Sequence, residues 1–536
     1  MSTPDAPERF DAIVVGAGFA GLYMLHRLRE EGLSVQLLEA GDGVGGTWHW
    51  NRYPGARVDV ESMSYSYSFS PQLQQEWSWT ENYAARDELK AYADHVAERF
   101  GLGSHIRLGT RIVGARYDED AATWTVTTEA GDQLITTFLV TAVGALSTTN
   151  RPMIPGLAEF GGTVLHTSRW PAEDVDLTGK RVGVIGTGST GIQLIPVVAR
   201  KAARLTVFQR SANFSLPIRN EPMDPEFERE WKAHYDEHRA AARLTSGGSN
   251  TTIINMFSAL DVSPQERERI YEQSWRAGGA SVLRSFQDIM TSREANDTAA
   301  DFVRRKIREI VHDPVVAERL CPKDHPIGSK RICMDNGYFE TYNRDNVELV
   351  DLRAEPIVAG VAEGLRTERA VYPLDLLILA TGFDAVTGPL REMGIVGRDG
   401  VALADKWADG PLAYLGLATA GFPNLLTLTG PGSPAVLANG FTSIEQHVGL
   451  AMDVINQARE RGARQVEVTS RAEIEWMEHV AEAADRTLYP QAKSWYLGSN
   501  IPGRPRVFML YAGGAGNFRR RCEDVVAAGF TGFEFG

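Results

Sequence analysis

Two glycine turns of identical spacing, each set between an apolar strand and an amphipathic helix, constrain this chain more than any other feature. In the first, "AIVVGAGFAGLYMLHRLREEGLSVQLLEA", Ala12 to Val15 reads as a strand. Gly16, Gly18 and Gly21 follow as G-x-G-x-x-G, and a helix runs to about Glu31. Glycines in this pattern let a pyrophosphate approach a helix N-terminus, where free amide donors and the dipole favour an anion. A second strand, Val35 to Leu38, ends in Glu39, eighteen residues after Gly21. A carboxylate there can accept hydrogen bonds from the ribose hydroxyls of an adenosine.

The unit recurs at 181–210. Strand "RVGVIG" leads into Gly186, Gly188 and Gly191, then a helix through "IQLIPVVARKA" and a strand "LTVFQR". Thr187, Ser189, Thr190 and Gln193 line this turn and are candidate nucleotide contacts. The acidic position is here Gln209, followed by Arg210 and Ser211. A carboxylate would repel a 2′-phosphate, whereas a guanidinium can clasp one. The second site therefore reads as NADP(H). Two dinucleotide units with different adenosine contacts imply FAD in the first and a nicotinamide donor in the second. The expected fold class is α/β, with two Rossmann-like dinucleotide-binding domains (FAD and NADP) and a helical insertion.

The strand pattern lapses between about 222 and 322. Ser263, Pro264 and Glu266 form a capping-box signature there. Phe302, Val303, Ile307, Ile310 and Val311 fall at helical spacing, a stripe that reads as core. "LTSGGSNTT" (244–252) reads as a mobile loop. "TAVGALS" (141–147) and "DLLILATGFD" (375–384) each close an apolar strand with a glycine turn, where the chain can pass between domains. The expected division is 1–145 and 383–536 for the FAD-binding domain, 146–221 and 323–382 for the NADP-binding domain, and 222–322 for the helical insertion.

Length and composition narrow the class. At about 150 residues per domain, 536 residues suggest three to four folding units. A net charge of −14 argues against a nucleic-acid surface. Three cysteines without a CxxC disfavour a dithiol redox centre, and no metal site is expected. No apolar run approaches a membrane span. The expectation is a cytoplasmic enzyme, monomeric or weakly self-associating.

Several stretches together resemble one family, the type I flavin-dependent Baeyer–Villiger monooxygenases. Phe160, Gly162, His166, Trp170 and Pro171 fit its F-x-G-x3-H-x3-W-P fingerprint. "GGTWHWNRYPGARVDVES" (45–62), "IGSKR" (327–331), "GPGSPAVLANG" (430–440) and "SWYLGSNIPGRPR" (494–506) resemble further landmarks, in order along nearly the whole chain. The longer loop at 434–440 is similar to that of the phenylacetone- and steroid-monooxygenase-like branch. The resemblance implies an NADPH- and O2-dependent enzyme that inserts one oxygen next to a ketone carbonyl, giving an ester or lactone. It implies that Arg331 stabilises a flavin peroxide and that Asp59, near the flavin, pairs with Arg331. It places Thr47, Trp48, Trp50 and Tyr65 at the flavin, and Trp495 and Lys330 at NADP(H), Lys330 sharing the 2′-phosphate with Arg210. Ala435, Val436, Leu437 and Gly440 fall in the substrate pocket. Gly440 is a departure, since relatives of this branch often carry methionine next to Asn439.

His166 invites assignment as a general acid or base. Its stretch instead joins the two dinucleotide units, Gly162 permitting a turn and Pro171 stiffening the exit. Phe160, Gly162, His166, Trp170 and Pro171 are therefore read as coupling the domains. Alternatives to ketone oxygenation are oxidation of sulfur or nitrogen, a simple NADPH reductase, and a non-catalytic redox-sensing module. The individual ketone is not legible.

Overall fold

The computed structural model describes residues 6–250 and 253–536. Two parallel-centred sheets organise the chain. The first runs, in spatial order, Ile395–Val396, Ile112–Asp118, Thr123–Thr128, Gln133–Thr141, Glu8–Val15, Val35–Leu38 and Ile106–Arg107, with Leu425–Thr427 added alongside Gln133–Thr141. Its centre is parallel: Ala12 to Val15 pair with Val35 to Leu38 on one side and with Phe138 to Thr141 on the other. These paired segments are buried throughout, as in a parallel sheet covered on both faces. Leu425–Thr427 and Ile395–Val396 bring distant sequence into this sheet.

The second sheet is wholly parallel, in the order Val347–Asp351, Arg204–Gln209, Arg181–Ile185, Leu376–Leu379 and Thr163–His166. The fingerprint stretch thus supplies an edge strand and the turn leaving it. A three-stranded antiparallel ribbon, Ile357–Val361, Gly364–Thr367 and Val371–Pro373, sits beside it.

No strand forms between residues 222 and 322 among the described residues; the segment is helical. Helix Pro264–Ala277 begins at Ser263, whose Oγ accepts from Glu266 N at 3.2 Å. Only this half of the capping box forms, because the Glu266 carboxylate turns outward to accept from Arg269 at 2.7 and 2.9 Å. Helix Arg293–Ile310 buries Phe302, Val303 and Ile307 fully, as the stripe predicts. In the expected loop at 244–252, residues 251–252 lie outside the described residues. The part before them is tethered: Thr442 Oγ1 donates to Gly248 O at 2.7 Å, and Asn439 N donates to Gly247 O at 2.8 Å. Among the described residues no helix is long and apolar enough to cross a membrane.

Candidate active site

The first glycine turn is built for a bare backbone. A Cβ at Gly21 would lie 1.8 Å from Gly16 O, and one at Gly16, whose φ is +103°, would lie 2.6 Å from Ala142 O. Gly46 closes over the turn so tightly that its Cβ would stand 2.8 Å from Gly18 Cα. The N-terminus of helix Phe19–Glu30 has no side-chain cap, which leaves its amides free for an anion. Glu39 is buried and accepts from Ala17 N at 2.6 Å and Gly41 N at 2.7 Å. Each carboxylate oxygen keeps a further lone pair for a ribose hydroxyl. These residues fit the pyrophosphate and ribose of FAD.

Thr47, Trp48 and Trp50 lie on the short helix Thr47–Trp50 that follows Gly46. Trp48 is buried and meets the edge of Tyr65, ring centroids 6.0 Å apart. Tyr65 stands in turn against Phe441 at 4.9 Å, and burial pushes its phenol up to about 12. Trp50 carries the Arg169 guanidinium over its face at 4.3 Å. Arg169 leaves the second sheet directly after the fingerprint histidine, so this contact joins the two units. Sequence reasoning passed over it because Arg169 and Trp50 become neighbours only in the fold.

The second turn repeats the first. A Cβ at Gly191 would lie 2.2 Å from Gly186 O, and one at Gly186, at φ +111°, 2.3 Å from Ala380 O. Gly188 faces open space. Several candidate contacts in this turn already have protein partners. Thr187 Oγ1 donates to Ser211 O at 3.0 Å, and Ser189 Oγ lies 3.4 Å from Cys333 Sγ. Gln193 accepts from Tyr53 OH at 2.8 Å and donates to Arg57 O at 3.0 Å, which pins this helix to the first unit. Thr190 is half-buried beside them.

Beyond the turn lies a cavity of about 490 Å³ lined by Gln209, Arg210, Ser211, Lys323, Asp324 and Arg353, among others. Gln209 is buried and donates to Arg319 O at 2.7 Å, leaving Arg210 at the rim. Lys330 approaches Asp324 at 3.9 Å; burial lowers its ammonium pKa, opposed by the Asp324 charge. This basic rim beside an uncapped helix N-terminus fits a 2′-phosphorylated nucleotide. Arg353 was not legible in the sequence, being far along the chain without a motif.

Between these two sites Arg331 meets Asp59 in a fork. Nε donates to one carboxylate oxygen at 3.0 Å and Nη2 to the other at 2.5 Å, while Nη1 donates to Val436 O at 2.8 Å. Asp59 pushes the guanidinium pKa upward, against the opposing effect of burial. The arginine is therefore permanently cationic, and 30% of its side chain stays accessible. Cys333, two residues on, is buried and its thiol is pushed up to about 12, so it supplies no thiolate. Ala435 is buried in an apolar cluster with Tyr496, Leu497 and Phe508, against which Val436, Leu437 and Trp495 pack. Asn439 caps the helix Gly440–Arg461 that follows, accepting from Phe441 N at 2.9 Å. A Cβ at Gly440 would make ordinary contact with the Tyr65 ring at 3.6 Å.

His166 is held as a neutral ring. Its Nδ1 accepts from Ser168 N at 3.2 Å, so Nε2 bears the proton and donates to Thr381 Oγ1 at 3.2 Å. Thr381 donates on to Asn150 O at 2.6 Å, and Ser168 Oγ lies 2.8 Å from Thr149 Oγ1. Burial pushes the imidazole down to about 4. Residues 148–150 and 382–384 run side by side, through Asn150 N to Gly382 O at 3.0 Å and Asp384 N to Thr148 O at 2.9 Å. His166 thus ties together the two connectors between the sheets. Gly162 is needed for close packing rather than for a turn: a Cβ there would stand 2.4 Å from the Phe160 ring and 2.6 Å from Asp375 O. Phe160 and Trp170 are buried, and Pro171 is half-buried.

Two dinucleotide folds with a permanent cation between them define a flavoprotein oxidoreductase that also takes a nicotinamide nucleotide. A sequence model of the pyridine nucleotide-disulphide oxidoreductases matches residues 10–247. The three cysteines are free and buried, and the sequence holds no CxxC. The chain is 44% identical over 531 residues to a Baeyer–Villiger monooxygenase of Pseudooceanicola batsensis, spanning 97% of this chain and 95% of the relative. It is 43% identical to a phenazine N-monooxygenase of Lysobacter antibioticus, spanning 98% and 96%. A solved structure of oxidized steroid monooxygenase bound to NADP matches with a TM-score of 0.94 and 52% identity, covering 98% of this chain and 99% of that one. The chain belongs to the flavin-dependent Baeyer–Villiger monooxygenases. It is an enzyme whose cofactors are FAD and NADP(H).

Proposed function

We propose that Arg331, oriented by Asp59, stabilises the negative charge that develops on oxygen as this enzyme inserts one oxygen atom beside a ketone carbonyl. The enzyme consumes NADPH and O2 and forms an ester or lactone. FAD and NADPH, when bound, supply the electrons that reduce dioxygen. The fork between Arg331 and Asp59 carries the reading. A fixed cation in a partly dry site stabilises oxyanion charge without reorganising at the moment of reaction, an effect worth ~3–4 kcal/mol per donor in other enzymes. Asp59 keeps the guanidinium in place, and Val436 O ties it to the loop proposed to line the substrate pocket with Ala435, Leu437 and Gly440.

The residues around the first turn, with Glu39, Thr47, Trp48, Trp50 and Tyr65, would hold FAD. Those around the second, with Arg210, Ser211, Lys330 and Trp495, would hold NADP(H). The FAD unit comprises 1–145 and 383–536, the NADP unit 146–221 and 323–382, with 222–322 inserted. Phe160, Gly162, His166, Trp170 and Pro171 couple the units by clamping the two connectors.

The test is to reduce the FAD-loaded enzyme with NADPH and mix it with oxygen and a panel of ketones and sulfides. Ester or lactone as main product supports the reading. Hydrogen peroxide alone from every substrate would remove the role given to Arg331. Oxidation of nitrogen is a second reading, favoured by the 43% identity to a phenazine N-monooxygenase; aromatic N-heterocycles added to the panel decide between them.

A further inference from the structure

The adenosine end of the second fold contains a carboxylate that a phosphate-binding site does not need. Asp324 lies on the wall of the 490 Å³ cavity together with Arg210, Ser211 and Arg353. One carboxylate oxygen pairs with Arg353 Nη2. The other accepts from His325 Nδ1 at 2.6 Å and stands 3.9 Å from Lys330 Nζ. The same Arg353 nitrogen donates to Ser211 Oγ at 2.9 Å, so an arginine steadied by serine converges with the lysine on one anion. That anion is a side chain of the protein itself.

The geometry points to Asp324 as a built-in competitor for the 2′-phosphate, one that pairs with the same cationic cradle and weakens nucleotide binding there. This rests on the reading of the second site as NADP-specific. Two physical points carry it. The Asp324–Arg353 pair is accessible, its side chains 34% and 57% exposed, and solvent-exposed pairs contribute little to stability, so a ligand can open it. A 2′-phosphate, with roughly −1.5 to −2 charges and three acceptor oxygens, outbids a single carboxylate for the same donors, yet it must do so beside the charge it displaces. The arrangement lowers affinity for the phosphorylated nucleotide and favours its release between turnovers.

The test uses the FAD-loaded enzyme and two fragments, 2′,5′-ADP and 5′-ADP, with dissociation constants read by calorimetry. The wild type is expected to prefer 2′,5′-ADP; without that preference the NADP reading itself fails. Given the preference, Asp324→Asn is expected to tighten 2′,5′-ADP by about three- to tenfold, as removal of one nearby like charge allows, and to leave 5′-ADP within about twofold. In an Arg353→Ala background the gain from Asp324→Asn should shrink. If Asp324→Asn folds poorly through loss of the His325 contact, Asp324→Ser serves in its place. Unchanged or weaker 2′,5′-ADP binding in a folded variant overturns the inference and makes Asp324 a mere positioner of Arg353.

Discussion

Arg331 and Asp59 stand 272 positions apart in the chain and meet through two parallel N–H···O bonds, the strongest geometry available to this pair. Asp59 follows the aromatic helix beside the first glycine turn, and Arg331 precedes the strand Cys333–Asp335. Folding is therefore required before the charge at the site exists in usable form.

From that fork, Arg331→Ala should lower ketone oxidation by about 10²–10³-fold, the usual loss for one electrostatic donor. NADPH consumption should continue and yield hydrogen peroxide. Asp59→Ala keeps the cation but frees its position, and a misplacement of about 1 Å can itself cost about 10²-fold. Product and peroxide yields measured side by side separate the two effects; full coupling in Arg331→Ala would refute the assignment.

His166 makes a pH prediction of definite sign. Its pKa falls to about 4 in the folded protein, from an ordinary value of 6.5. The unfolded chain binds the extra proton between these values, so the contribution is fully present above pH 6.5 and is lost as pH drops towards 4. At ~1.4 kcal/mol per unit the loss reaches about 3 kcal/mol. Melting curves of His166→Asn should show a shallower decline than wild type across this window. Because the ring is neutral throughout pH 6–9, the variant's activity profile should keep its shape there; a lost limb would mean that His166 transfers protons.

Gly440 is the first residue of its helix and looks onto Tyr65. Gly440→Met should fold well, gaining up to about 1 kcal/mol from helix propensity, because the added Cβ meets only ordinary contacts. The longer side chain must then run along the Tyr65 ring. Turnover of bulky ketones should fall relative to small ones; an unchanged ratio of kcat/KM across a size series would show that the position lies outside the pocket.

Arg169 over Trp50 is a contact between the two units with no competing ion pair among the described residues. Such a cation–π pair contributes about 0.5–2 kcal/mol. Arg169→Ala should weaken FAD retention by roughly 2–30-fold on that basis, read as flavin fluorescence on dilution or heating. Retention equal to wild type would confine Arg169 to surface packing.

The two nucleotide units were legible in the sequence because their physics is local. A strand, a turn that needs glycine at its first and last motif positions and an amphipathic helix occupy some thirty consecutive residues, and Glu39 and Gln209 fall at fixed distances beyond them. Resemblance extended this to Arg331, Asp59 and the fingerprint histidine. The tertiary structure alone decided the partners: His166 with Thr381, Gln193 with Tyr53, Arg169 with Trp50, Asp324 with Arg353. It also decided why Gly162 is glycine, since the clash it avoids is with the Phe160 ring and a carbonyl more than two hundred residues away. Periodicity and spacing report what neighbours along the chain can do. Charge pairing and close packing between distant segments depend on distances that exist only once the sheets have formed.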